Sequence, residues 1–288
     1  MTGAEAVRRV AIVTDSSACL PAAEIVAHRV EIVPIVLVWD GVELRDGIDI
    51  TPDAFWRRLA TDRNLPSTSS MSPGEYTVAM QAARGWASSA VCLCIPRSLS
   101  TMYEAAQIAA AEIEHEFPVS VIETGGAAMA SGFPALLAAR AAGAGATHDQ
   151  VVATATRAVA HSEIVAVLDS LEYLARTGRI PGIVARLADA VPSKFVLRLE
   201  HGKVSVRARF GSRERAVNGM LHRIRRKAAD ATYVGVAVHH GANQAEAEDL
   251  ADRIRHEFQP DDLYVTSFTP VMGTHVGPGL IGLACCAI

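Results

Sequence analysis

Short stretches of this 288-residue chain gather hydroxyl side chains and glycines in the way an anion site does. Asp15, Ser16 and Ser17 close the apolar run VAIVTD, Arg97, Ser98 and Ser100 follow AVCLCIP, and Thr124, Gly125 and Gly126 follow VSVIET. Each lies where a strand gives way to a helix, and the free N–H groups of a helix N-terminus favour negative charge. In an open α/β sheet, ligands bind beyond the carboxyl ends of the strands, which is where these residues fall. The segment STSSMSPGE adds Thr68, Ser69 and Ser70, just ahead of a predicted capping box at Ser72-Pro73-Gly74-Glu75. Ser100 has two readings, as a ligand donor or as a cap for the helix starting near Met102, a role Thr101 could also fill.

The stretch GTHVGPG, Gly273–Gly279, predicts a loop whose backbone comes close to another group, with Thr274 and His275 presented on it. A histidine in such a loop is a better candidate for function than His28, His115, His148, His161, His222 or His256, which fall on polar or helical stretches and read as solvated. His239 and His240 are neighbours on a strand, so they point to opposite faces and make a poor joint ligand pair. The five cysteines lie mostly in apolar runs and read as packed, reduced thiols. Cys92 and Cys94 share a strand face with no second ligand pair at metal spacing, so no metal site is expected. Neither G-x-x-x-x-G-K-[ST] nor G-x-G-x-x-G is present, so no nucleotide loop is expected.

The elements that must position these residues follow from the apolar pattern. The first half alternates strands and helices, the signature of parallel βαβ units. Its second run, VEIVPIVLVW, is interrupted by Pro34 and reads as a bent or edge strand. The Gly-rich stretch from Ala138 to Gln150 is the candidate neighbourhood of a domain junction. Beyond it the pattern changes: EIVAVLD is a strand, and SKFVLRLEHGKVSVRARF is a hairpin turning at His201–Lys203. A basic helix (Arg213–Ala229), a strand, a helix capped by Asn243 and another strand, DLYVTSF, follow. The expected fold is therefore α/β in two domains, residues 1–160 with a mainly parallel sheet and 161–288 with a mixed or antiparallel one, the ligand in the cleft between them.

At 50% hydrophobic and 20% charged residues the chain can pack a sizeable core, and a net charge of −4 asks for no nucleic acid or anionic membrane. The arginines between Arg207 and Arg226 read as a solvated face or a docking surface for an acidic partner. The start, MTGAEAVRRVAIVTD, leads straight into a strand, and no window is long and apolar enough for a membrane span, so a cytoplasmic protein without stable membrane insertion is expected.

Taken together, VAIVTDSSACLP, DGIDITPDAFW, TSSMSPGE, SLSTMY, SLEYLARTGRI, HHGANQAEAEDL and GTHVGPGLIGL resemble, in order, the motifs of the DegV family. The resemblance implies a binding protein rather than an enzyme, with no cofactor. It would hold a long-chain fatty acid and present the carboxylate to the catalytic subunit of a fatty acid kinase for acyl-phosphate formation. It places the carboxylate-binding threonine on Thr68, the serine on Ser100 and the loop histidine on His275, with Ser16, Ser17, Ser69, Thr274 and Gly273 in the same motifs. The chain departs from the pattern at Ser70-Met71, Thr101-Met102 and Thr177-Gly178, and has Gly211 where a family arginine usually stands, with Arg209 and Arg213 the nearby replacements. The competing reading is a serine-dependent acyl hydrolase or transferase with Ser100 as nucleophile and His275 as base, although no G-x-S-x-G elbow is present.

Overall fold

The computed structural model describes residues 10–62, 64–69, 72–181 and 193–288; the start of the chain and Ser70-Met71 lie outside the described residues. The first half lays down β1 (Val10–Asp15), α1 (Ala22–His28), β2 (Glu31–Val33), β3 (Val36–Trp39), β4 (Val42–Arg45), α2 (Pro52–Thr61), β5 (Ser67–Thr68), α3 (Pro73–Arg84), β6 (Ser89–Cys94), α4 (Met102–Ile113), β7 (Val119–Glu123), α5 (Met129–Gly143) and α6 (His148–Ala160). Strands β2, β1, β6 and β7 form a four-stranded parallel sheet in that order. Its inner strands are buried throughout and mostly apolar because both faces are covered: Val10, Ile12, Val91 and Leu93 pack with α5, while Ala11, Val13 and Cys92 belong to the core containing Tyr76 and Met80 of α3.

Pro34 does more than bend its strand. It divides VEIVPIVLVW into β2, at the edge of the parallel sheet, and β3, the centre of a separate antiparallel sheet of order β4-β3-β5. That small sheet is what carries Thr68, paired with Leu37.

The second half contains β8 (Ser162–Leu168), α7 (Glu172–Arg176), β9 (Lys194–Glu200), β10 (Lys203–Phe210), α8 (Arg213–Ala228), β11 (Val234–His240), α9 (Gln244–Phe258), β12 (Asp262–Ser267), α10 (Pro270–Val276) and β13 (Ile281–Ala287). Six strands form a mixed sheet ordered β10-β9-β8-β13-β11-β12, parallel only between β11 and β12. The apolar C-terminal run supplies β13, inserted antiparallel between β8 and β11. Helices α8 and α9 cover one face through Met220, Leu221, Ile224, Leu250 and Ile254.

Helix α5 lies between the two sheets and touches β1, β6, β8 and β13. Its sequence, MASGFPALLAARAAG, is apolar on all sides and rich in small residues, which suits a helix with no solvent face. The stretch from Ala138 to Gln150 closes the α5–α6 helical hairpin.

Three capping expectations change. Ser72 and Thr101 stand at the N-cap positions of α3 and α4 without a side-chain cap bond. Asn243 precedes α9, but its side chain accepts from the Gly241 N–H (3.0 Å) and donates to Glu246 (2.8 Å). Among the described residues no helix is long and apolar enough to cross a membrane.

Candidate functional site

Between the sheets lies a cavity of about 460 Å³, within the usual range for small-molecule sites. Its wall is mostly apolar, with Ile164, Leu168, Leu197 and Leu199 from β8 and β9, and Phe268, Val271 and Leu280 around α10. Thr68 and Ser69 line it from the small sheet, Leu99 and Ser100 from the loop before α4, and His275 from α10. Of the other predicted residues, Ser17 lines the cavity, whereas Ser16, Thr274 and Gly273 are not in its wall.

The serines after β1 are already engaged. Ser17 donates its N–H (3.0 Å) and its hydroxyl to Asp15 Oδ1, and the Ile95 N–H donates to Oδ2 of the same carboxylate (3.1 Å). Ser16 donates to Asp46 Oδ2 (2.8 Å) and accepts from the Ile35 N–H (3.2 Å). Burial raises the pKa of both carboxyls, that of Asp46 to about 7. Asp46 Oδ2 also accepts from the Val271 N–H (3.4 Å) in the first turn of α10, so this carboxyl fastens the helix that carries His275. Asp46 escaped the sequence reading because DGIDI looks like a polar turn; its burial is a property of the tertiary fold.

The segment beginning GTHV is not a loop. Gly273, Thr274 and His275 sit on α10, which has Pro270 at its N-terminus. Gly273 is required by a neighbour rather than by a ligand, since a Cβ there would stand 2.4 Å from the Phe55 ring. Thr274 is buried and returns its hydroxyl to the Pro270 carbonyl (3.0 Å). His275 alone of the three faces the cavity. Burial, then Arg179 and Arg176, hold its pKa down to about 3, so the imidazole is neutral, and its buried Nδ1 has no partner among the described residues.

Arg179 is a lining residue that the sequence reading quoted only within a motif. It follows α7, is half-buried, and donates to the carbonyls of Thr177 and Leu99, the latter at 3.3 Å. No carboxylate pairs with it among the described residues, and burial lowers its pKa. The two candidate replacements for the arginine missing at Gly211 lie elsewhere. Arg209 donates to Ser193 (2.6 Å), and Arg213 binds Glu246 (2.9 Å), Asp169 (3.1 Å) and the Gly279 carbonyl (2.6 Å).

The arrangement favours binding over hydrolysis. A serine nucleophile needs a base in reach, oriented by a third group. Neither Ser100 nor His275 Nδ1 makes a side-chain hydrogen bond among the described residues, and His275 has no carboxylate behind it. What the site offers is neutral donors at the wall of an apolar cavity and three lining guanidiniums, of which Arg97 and Arg198 are paired with Glu123 and Glu200 while Arg179 has no carboxylate partner among the described residues.

Comparisons with known proteins agree with this architecture. The DegV family, described as an uncharacterised protein family, matches residues 9–287. A DegV domain-containing protein of Streptomyces coelicolor is 36% identical over 278 residues, covering 96% of this chain and 98% of the relative. Another from Mycobacterium tuberculosis is 34% identical, covering 95% of this chain and 96% of the relative. Among solved structures, a DegV family protein from Thermus thermophilus, described by its fatty acid binding, superposes with a TM-score of 0.89 at 26% identity, over 97% of this chain and 100% of that one. DegV of Bacillus subtilis, described as a fatty acid binding protein, has the same fold, with a TM-score of 0.89 at 21% identity over 97% of this chain and 99% of that one.

Proposed function

The chain belongs to the DegV family, and on that footing we propose that its cavity carries a long-chain fatty acid and presents the carboxylate to the catalytic subunit of a fatty acid kinase for acyl-phosphate formation. The protein then does no chemistry of its own, acts in the cytoplasm, and holds the acid in the cleft between an N-terminal domain of residues 1–160 and a C-terminal domain of 161–288. Thr68, Ser69, Ser100 and His275 donate to the head group, and Arg179 balances its charge. Ser17 shapes the wall beside them, and Ser16, Gly273 and Thr274 support the wall from behind.

The observation that carries this reading is the guanidinium of Arg179. A half-buried cation with no carboxylate partner among the described residues is costly, and an acidic ligand removes that cost. The apolar wall supplies the rest. Each buried CH₂ contributes roughly 0.8 kcal/mol, so a chain of about sixteen carbons gains on the order of 10 kcal/mol before ordering costs.

Organic extraction of the purified protein followed by mass spectrometry tests the ligand. A stoichiometric long-chain acid is expected, and protein that neither carries nor takes up such an acid would refute the reading. Kinase presentation is tested by adding a fatty acid kinase catalytic subunit and ATP, with acyl phosphate expected only when the loaded chain is present. Turnover of activated esters that disappears in Ser100→Ala would instead establish the hydrolase.

A further inference from the structure

A histidine away from the hydroxyls ties the two sheets together behind the cavity wall. His239, in β11, is buried, and its Nε2 accepts the N–H of Met129, the first residue of α5 (3.2 Å). A neutral imidazole that accepts at Nε2 carries its proton on Nδ1, which here donates to Thr266 Oγ1 of β12 (2.7 Å). Burial, reinforced by His240, holds the pKa of His239 down to about 3, so the ring is neutral, and the Met129 N–H at Nε2 selects this tautomer. The ring also lies against Phe268, a lining residue, with centroids 5.0 Å apart.

What His239 holds is a strained turn. Ala128 has φ 51° and ψ −146°, a conformation that favours glycine. It sends its own N–H to the Ser17 carbonyl (2.8 Å) and directs the next N–H, that of Met129, to His239. Ala127 and Ser17, on the two sides of this turn, both line the cavity. The same segment is tethered from the β9–β10 hairpin, whose Gly202 N–H donates to the Gly125 carbonyl (2.7 Å). Strain of this kind persists only where the surroundings enforce it, and His239 is the side chain that reaches the turn from the far sheet.

We propose that His239 is a positioning residue for the ligand: by accepting the Met129 N–H it holds the Ala127–Ala128 turn against Ser17 and so sets the cavity wall at that point. This rests on the cavity being the fatty-acid site. With the imidazole removed, the turn relaxes, the wall moves and the bound acid leaves faster. The tautomer is part of the device, because without the Thr266 acceptor the proton can move to Nε2 and the Met129 N–H loses its partner.

The test is the release rate of a fluorescent long-chain fatty acid from the full-length protein, measured by stopped flow beside the melting temperature. His239→Ala and Thr266→Val are expected to accelerate release about tenfold, the worth of one buried hydrogen bond. His239→Gln, whose amide can accept from Met129 and donate to Thr266, is expected to restore most of the wild-type rate. Ala128→Gly in the His239→Ala background separates positioning from general stability, since glycine adopts this turn without strain and the double variant is expected to release the acid more slowly than His239→Ala alone. Release within about twofold of wild type in Thr266→Val would overturn the proposal, even if His239→Ala failed to fold. Failure of the wild type to bind the acid would instead sink the ligand reading on which the proposal stands.

Discussion

Two pairs of hydroxyl residues were expected at the same cleft, and they differ in what already holds them. Ser16 and Ser17 each donate to a buried carboxylate, Asp46 and Asp15, and so have no proton left for a ligand's carboxylate. Thr68 and Ser100 have no such neighbour, and among the described residues their hydroxyls make no hydrogen bond. The contrast shows that hydroxyl content alone does not make an anion site. The nearest acceptor decides whether a serine is a ligand donor or part of the frame.

The largest effect expected from this contrast lies with the cation. Arg179→Leu should weaken binding of a long-chain acid by about 2–3 kcal/mol and leave binding of the matching fatty alcohol nearly unchanged. Calorimetry on both ligands checks this, and an equal loss for the two would assign Arg179 to the frame. Next come the unengaged hydroxyls. Thr68→Ala and Ser100→Ala should each cost about 1–2 kcal/mol of acid affinity with little change in melting temperature. Unchanged affinity in both would erase the distinction between the pairs.

Acidity probes the frame directly. The folded-state pKa of Asp46 is raised to about 7, above the unfolded value of about 3.9, so the folded protein holds a proton that the unfolded chain releases. Its contribution therefore declines as pH rises from about 4 to 7 and is flat above that. His275 works in the opposite sense. With its pKa lowered to about 3, its contribution is complete above the unfolded value of about 6.5 and declines as the pH falls below it. Melting temperatures of Asp46→Asn should lack the decline as pH rises from about 4 to 7, whereas His275→Gln should lack part of the loss as pH falls below about 6.5. Identical pH profiles for Asp46→Asn and wild type would show that the carboxyl is not buried in this way. The smallest effect is expected at Thr274. Thr274→Val should leave acid affinity within about twofold and cost about 1 kcal/mol of stability, measured by denaturant unfolding.

Much of this was visible in the sequence. Strand ends, the His201–Gly202 hairpin and the helix after Asn243 followed from apolar periodicity and turn residues, because those signals are local. Thr68, Ser100 and His275, which line the cavity, were legible as candidates for the same reason: each lies beside a recognisable turn or helix start. The failures have a common cause, namely contacts distant in sequence. Gly273 read as loop because the ring that demands it, Phe55, is far away in the chain, although Thr269-Pro270 is a helix-start signal that could have been used. Asp46 and Arg179 were not singled out, because only the packed fold reveals their burial. Pro34 was read as marking a bent or edge strand, and β2 is indeed at an edge, but nothing local announced that the chain changes sheets there.

The placement of α5 has a consequence for how the molecule folds. Its faces are buried by β1 and β6 on one side and by β8 and β13 on the other, and β13 is the final strand of the chain. The helix gains its last face only when the C-terminal strand has been inserted, a contact of large sequence separation. Neither sheet can therefore complete its core alone, and the two halves will melt together in one cooperative transition, although the chain is long enough for two.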